Sequence, residues 1–168
     1  MRISLLGFMG AGKTSVGKIL ARRLDYNFYD TDIIIEEKTG LSIRKIFSLH
    51  GEEYFRCLEA EVLKQIIEQN DDIVIATGGG IVLSDQNRYY LKKYTYPILL
   101  SVSPLAVHQR LKGENRPLLG ENTLEEIKKL MEEREEVYGE FSPDIETSDR
   151  SPDDVVQDIL KLVTVYKN

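Results

Sequence analysis

The chain predicts an α/β fold: a parallel sheet covered by helices on both faces, three layers in all. Three observations carry this. Short runs that are apolar throughout occur at Ile3–Leu6, Ile73–Ala76 and Ile98–Val102, as expected for strands buried on both faces. Amphipathic stretches of helical spacing lie between them. The first run passes into the first helical stretch through a glycine-rich loop.

The elements follow in order. Ile3 to Leu6 reads as the first strand. Gly7 to Thr14 (GFMGAGKT) then matches the phosphate-binding pattern G-x-x-x-x-G-K-[ST] in full. Glycines let successive backbone N–H groups converge on a phosphate. Lys13 adds a positive charge for the β- and γ-phosphates, and the Thr14 hydroxyl can ligate Mg²⁺. Val16, Ile19, Leu20 and Leu24 recur at helical spacing, so the helix aims its positive end at the same anion. A short extended segment, Asn27 to Tyr29, leads to Asp30-Thr31-Asp32. Either aspartate alone reads equally well as a helix N-cap. Beside a phosphate loop, one carboxylate can hold Mg²⁺ through water while the other accepts a proton from a substrate hydroxyl.

The third apolar run ends in Thr77-Gly78-Gly79-Gly80. Three glycines in a row are costly in chain entropy, and close approach of a ligand to the backbone accounts for them better than a plain turn. The glycine loop, Asp30 and this run all fall at carboxyl ends of strands, where such sheets bind ligands. Residues 113–122 (GENRPLLGEN) lack periodicity and place Arg116 between glycines; the expectation is a mobile lid rather than an idle connection. Val155, Val156, Ile159, Leu160 and Val163 make a closing helix.

Two helical stripes carry charges on their apolar side. Arg134 continues the Ile127, Leu130, Met131 stripe, and Glu59 sits among Phe55, Leu58, Val62, Leu63 and Ile66, with Arg56 near the edge. An inward charge must be paired or must face a bound ion. The alternatives are an internal Arg–Glu pair, or a cleft where Arg56 and Arg134 grip a carboxylate and Glu59 fixes one guanidinium. His50 and His108 are too isolated for a metal or Ser-His device. Cys57 reads as a buried, inert thiol.

Composition bounds the partners. The 168 residues suit one domain, 1–168, and 28 acids against 22 bases give a net charge of −6, which argues against non-specific nucleic-acid binding. The single cysteine excludes an internal disulfide, and no apolar run is long enough to span a bilayer. The cytoplasm is the expected location, no membrane partner is expected, and a monomer is the default.

Taken together, GFMGAGKT, the Asp-Thr-Asp run, Phe55-Arg56, the glycine triplet and Arg116-Pro117-Leu118-Leu119 resemble the shikimate kinase family over essentially the whole chain, in the family's order. The resemblance implies a three-layer P-loop kinase fold with the five-stranded parallel sheet of nucleoside monophosphate kinases. It implies ATP-dependent phosphorylation of the shikimate 3-hydroxyl, with Mg²⁺. Lys13, Asp32 and Arg116 would be catalytic, Arg116 reaching from the lid to the transferring phosphoryl group. ATP would meet Gly10, Ala11, Gly12, Lys13, Thr14, Ser15, Arg110, Arg116, Arg150 and Pro152, with Arg110 and Pro152 flanking adenine. Thr14 and Asp30 would hold the metal. Shikimate would meet Asp32, Phe47, Phe55, Arg56, Glu59, Gly78, Gly79, Gly80 and Arg134. Two departures are visible: Thr14-Ser15 replaces the commoner Ser-Thr order, and the third strand ends without an acid. A gluconate kinase of the same fold and a nucleotide switch are the competing readings. Against the first, Asp32, Arg56, the glycine triplet and Arg134 together suit a carboxylated polyol ring better; the second lacks an Asn-Lys-x-Asp motif.

Overall fold

Alternation along the strands builds the layers. In β1 (Arg2–Leu6), Ile3 and Leu5 face one core while Leu6 faces the other. In β3 (Ile73–Ala76) and β4 (Tyr96–Ser101), Val74, Ile98 and Leu100 join the first core, and Ile73, Ile75 and Leu99 the second. Successive strand residues point to opposite faces, so a run apolar at every position needs helices on both sides. α1 (Lys13–Leu24) and α8 (Pro152–Lys167) cover the first face with Val16, Leu20, Val155 and Ile159. α2 (Thr31–Thr39), α3 (Ile43–Gln69) and α4 (Asp85–Tyr94) cover the second with Ile35, Val62, Leu63 and Leu91.

The computed structural model describes residues 1–112 and 123–167. With β2 (Asn27–Asp30) and β5 (Asp144–Glu146), the sheet has five strands in the order β2-β3-β1-β4-β5, every neighbouring pair parallel. The five strands that the resemblance implied are therefore present. β4 begins two residues before the apolar run at Ile98 and ends at Ser101. No helix among the described residues is long and apolar enough to cross a membrane.

Register lines up the functional loops. Ala76 pairs with Leu5 on one side and with Asp30 on the other. The segments leaving β1, β2 and β3 therefore start side by side at one edge. Among the described residues, a 3-10 turn (Ile81–Leu83) and three further α-helices remain: α5 (Pro104–Arg110), α6 (Leu124–Glu132) and α7 (Glu135–Gly139). α6 opens with a full capping box between Thr123 and Glu126.

α3 is broken at Gly51, whose φ of 82° and ψ of 174° are not helical. In a straight helix, residues eight apart sit about 12 Å apart along the axis. Here the Phe47 and Phe55 ring centroids are 4.8 Å apart, on either side of the kink. That backbone region is essentially restricted to glycine. A Cβ at Gly51 would meet nothing within 4 Å, so alanine there is penalised by strain alone. Gly51→Ala should cost about 1–3 kcal/mol of unfolding free energy, read from urea denaturation. An unchanged midpoint would show that the kink does not depend on this residue.

Candidate active site

The donor side forms where β1 turns into α1. Lys13 is buried, and its Nζ donates to the carbonyls of Gly7 at 2.7 Å and Phe8 at 2.9 Å, so the loop closes around its own ammonium group. Thr14 Oγ1 donates to Asp30 Oδ2 at 2.7 Å. The other oxygen of Asp30 accepts from the backbone N–H groups of Asp32 at 3.1 Å and Ile33 at 3.4 Å, capping α2. The N-cap reading of Asp30 therefore holds on one oxygen, and the other oxygen meets the Thr14 hydroxyl. A cavity of about 350 Å³ opens here, lined among others by Gly10, Gly12, Lys13, Thr14, Ser15, Asp30 and Arg110.

A hydroxyl and a carboxylate side by side are hard oxygen donors. Among the described residues, no group of three or more His, Cys, Asp or Glu could hold a metal. Magnesium usually takes only one or two protein ligands and keeps its waters, so Thr14 and Asp30 fit it.

The acceptor side is a narrower cavity of about 70 Å³, walled by Asp32, Phe47, Phe55, Arg56, Glu59, Arg134 and the three glycines. It shares Met9, Asp32 and Gly79 with the donor cavity, so the two meet at Asp32.

Two of its charges, Glu59 and Arg134, are buried. Glu59 is 0% exposed and accepts from Arg56 Nη1 at 2.8 Å on Oε2. Its Oε1 has no hydrogen-bond partner among the described residues. Burial pushes the Glu59 carboxyl up to about 7, against the pull of Arg56. For Arg56, burial works against the charge, but Glu59 and Glu52 outweigh it and the pKa is raised. Arg134 is 3% exposed. Its Nη1 donates to the Gly79 carbonyl at 3.1 Å, and its guanidinium carbon lies 5.8 Å from the Phe8 ring centroid. Among the described residues, no carboxylate lies within ion-pair distance of it. Among the described residues the internal pair weighed for Arg134 is therefore not formed, whereas Arg56 and Glu59 do form one.

The glycine triplet lines the acceptor cavity and is also crowded from within the protein. A Cβ on Gly78 would collide with Glu59 Oε1 and lie 2.8 Å from Asp32 Oδ1. One on Gly80 would overlap the Arg56 guanidinium, and one on Gly79 would sit 3.1 Å from the Met9 nitrogen. The crowding group is thus the protein's own charged side chains and loop backbone, before any ligand arrives.

Comparison with known proteins agrees with this geometry. The family model described as shikimate kinase matches residues 9–164. The chain belongs to the shikimate kinase family. A shikimate kinase of Thermodesulfovibrio yellowstonii is 45% identical over 161 residues, covering 95% of this chain and 92% of that protein. A bifunctional shikimate kinase/3-dehydroquinate synthase of Thermotoga maritima is 45% identical over 141 residues, covering 84% of this chain. The match spans 28% of that longer protein. The solved structure of an Acinetobacter baumannii shikimate kinase in complex with shikimate superposes with a TM-score of 0.93 at 38% identity, covering 99% of this chain and 94% of that one.

Within this shikimate kinase frame, the remaining expected residues fall into three groups. Arg110 reaches the donor cavity, donating from Nη1 to the Gly10 carbonyl at 2.9 Å and from Nη2 to the Ser148 carbonyl at 2.7 Å. Arg150 is engaged elsewhere. Its Nη2 donates to Asp158 Oδ2 at 2.6 Å and to the Asp154 carbonyl at 3.1 Å, tying it to α8. Neither Arg150 nor Pro152 lines the donor cavity, and Ala11 is packed in the first core. Arg116 and the expected lid, 113–122, lie outside the described residues.

Cys57 is exposed rather than buried. It falls about 200° around the helix from Phe55, on the face opposite the cavity. His50 is exposed and stacks on Tyr54, centroids 4.8 Å apart. The α6 helix ends at Glu132, so Arg134 sits in the junction before α7 (φ −111°, ψ −2°) instead of continuing the stripe on a helix. Three lining or supporting residues went unread in the sequence. Met9 occupies a free position of the loop pattern, and Ile43 comes from the far side of the kink. Tyr138 donates to the Gly79 carbonyl at 2.5 Å, its phenol pushed up by burial.

Two roomier hollows, of about 510 Å³ beside β2 and about 420 Å³ between β4 and α6–α7, are lined by none of the buried charged groups. Volume alone would point away from the chemistry.

Glu59 also sets a pH dependence. Its carboxyl titrates near 4.5 when unfolded and near 7 when folded. Between these values the folded state holds more protons, so stability falls as pH rises through this window. Glu59→Gln should therefore gain stability relative to the parent more at pH 8 than at pH 5. Chemical denaturation at both pH values measures it; equal differences would show that Glu59 does not titrate in this window.

Proposed function

We propose that this chain transfers the γ-phosphoryl group of ATP to the 3-hydroxyl of shikimate, giving shikimate 3-phosphate and ADP. The observation that carries the reading is Arg134: a buried guanidinium with no described carboxylate in ion-pair distance, opening into a cavity beside Asp32. The nearby Glu59 carboxyl feels Arg134 but is already paired with Arg56, and a buried cation without a partner of its own is expensive. An anionic acceptor supplies the missing charge, and a carboxylated ring alcohol supplies it while presenting a hydroxyl to Asp32.

Each residue then has a task. The loop from Gly7 to Thr14 wraps the nucleotide phosphates, and Lys13 neutralises charge on the β- and γ-oxygens. Thr14 and Asp30 would hold Mg²⁺, which when bound supplies further neutralisation of those phosphates. Arg56 and Arg134 grip the carboxylate. Asp32 accepts the hydrogen bond of the attacking hydroxyl and takes its proton as the oxygen bonds to phosphorus. The bond from phosphorus to the β–γ bridging oxygen breaks, and its electrons leave with ADP. Such transition states are loose, so positioning and charge neutralisation supply most of the acceleration.

The lid reading of 113–122 and the role of Arg116 belong to the same proposal, as do action as a monomeric single domain and a cytoplasmic setting. Arg116→Ala should lower kcat by about a thousandfold, in the range of arginine fingers, with shikimate affinity little changed. An unchanged kcat would remove the residue from the chemistry. For the activity itself, a coupled ADP-release assay offers shikimate, gluconate and nucleoside monophosphates separately, with Mg²⁺ or with chelator. Turnover confined to shikimate and Mg²⁺ is expected; comparable rates with gluconate would overturn the acceptor assignment.

A further inference from the structure

We infer that Glu52 is a positioning residue for the acceptor, acting through Arg56. The inference rests on the reading of Arg56 as a carboxylate-binding group and adds how that group is aimed.

Arginine carries five N–H donors in a planar fork. In Arg56, Nε at 3.2 Å and Nη2 at 2.9 Å both donate to Glu52 Oε1, and Nη1 donates to Glu59 Oε2 at 2.8 Å. That leaves one N–H on each terminal nitrogen, a set that matches one bidentate carboxylate. The plane is fixed as well. The guanidinium carbon lies 5.2 Å from the Phe55 ring centroid, and the guanidinium packs against Gly80 with no room for a Cβ.

The two internal acids differ in what they can do. Glu59 is fully buried and holds a single nitrogen, an arrangement about which a guanidinium can still turn. Glu52 takes the Nε edge, so its bond removes that rotation. It also stops the substrate from using the Nε edge in place of the terminal one. Its side chain is 47% exposed, and an exposed ion pair of this spacing adds little to stability. Its place follows from the kink: Gly51 ends the first half of α3, and Glu52 starts the second half one turn before Arg56.

Without Glu52, Arg56 can offer either edge. The ring then docks in two registers, only one of which leaves its hydroxyl at Asp32. Glu52→Ala should therefore raise the shikimate KM about five- to twentyfold, with the ATP KM within about twofold. Glu52→Gln keeps the Oε1 acceptor and should restore the shikimate KM to within about threefold of the parent. An analogue whose carboxylate is replaced by hydroxymethyl should show no Glu52→Ala penalty.

Thermal melts accompany each variant. A lower shikimate KM in Glu52→Ala would mean that Glu52 competes with the substrate, and would overturn the inference. So would equal losses in the alanine and glutamine variants, or a penalty that persists with the hydroxymethyl analogue. Arg56→Met separates the two levels. If it leaves the shikimate KM unchanged, the Arg56 reading itself fails; if it raises KM while Glu52→Ala does nothing, only the positioning role fails.

Discussion

Gly78→Ala should lower kcat/KM for shikimate about a hundredfold while leaving ATP binding near its parent value. The added methyl would fall on Glu59 Oε1 and within 2.8 Å of Asp32 Oδ1. Glu59 has no easy retreat, since it is 0% exposed and held by Arg56. Displacement of a reacting or positioning group by about 1 Å is enough for a hundredfold loss. The donor cavity is lined by Gly79 but not by Gly78, so nucleotide affinity reads whether the damage is local. Steady-state kinetics with each substrate varied, together with nucleotide titration, measures this. A variant that lost both substrates equally would indicate a general collapse of the site, and one with parental kinetics would show that the carboxyls are free to move.

Arg134→Met should raise the shikimate KM about a hundredfold, the scale for removing one partner of a desolvated charge contact. Its effect on stability should run the other way. The guanidinium is 3% exposed, with the Gly79 carbonyl and the Phe8 ring as its neighbours and no described carboxylate in ion-pair range. Methionine fills similar volume without a buried charge, and such replacements are often neutral or stabilising. Denaturation in the absence of substrate should therefore show a midpoint equal to or above the parent. A destabilised variant with unchanged KM would instead make Arg134 a structural residue and remove the anchor of the acceptor assignment.

Much of the site is legible in local sequence because its parts obey local rules. The phosphate loop is contiguous, Asp30 and Asp32 follow a strand, and Glu59 is buried as its helical spacing predicts, whereas Arg134 is buried from a junction between helices. The features that were not legible depend on distant partners. Strand β5 contributes one buried residue, Ile145, too few for an apolar run to show, and only the family resemblance supplied it. The break at Gly51 leaves no breaker signal beyond a single glycine in a long helical stretch. The crowding at Gly78 and Gly80 comes from side chains about 20 to 46 positions away, and that at Gly79 from the Met9 backbone, which no local pattern contains. Cys57 was misplaced by treating a small apolar side chain as inward when the helical phase, set by Phe55 and Glu59, turns it outward.

The divided carboxylate of Asp30 has a bearing on alignment. One oxygen faces Thr14 at the place suited to a cation, and the other fixes the first turn of α2, on which Asp32 is carried. In the proposed reaction, donor and acceptor would thus both be referenced to this one side chain. A designer seeking a new acceptor on this scaffold could rebuild the α3 wall freely, yet a change at position 30 would shift both reactants together and could not be corrected from either side alone.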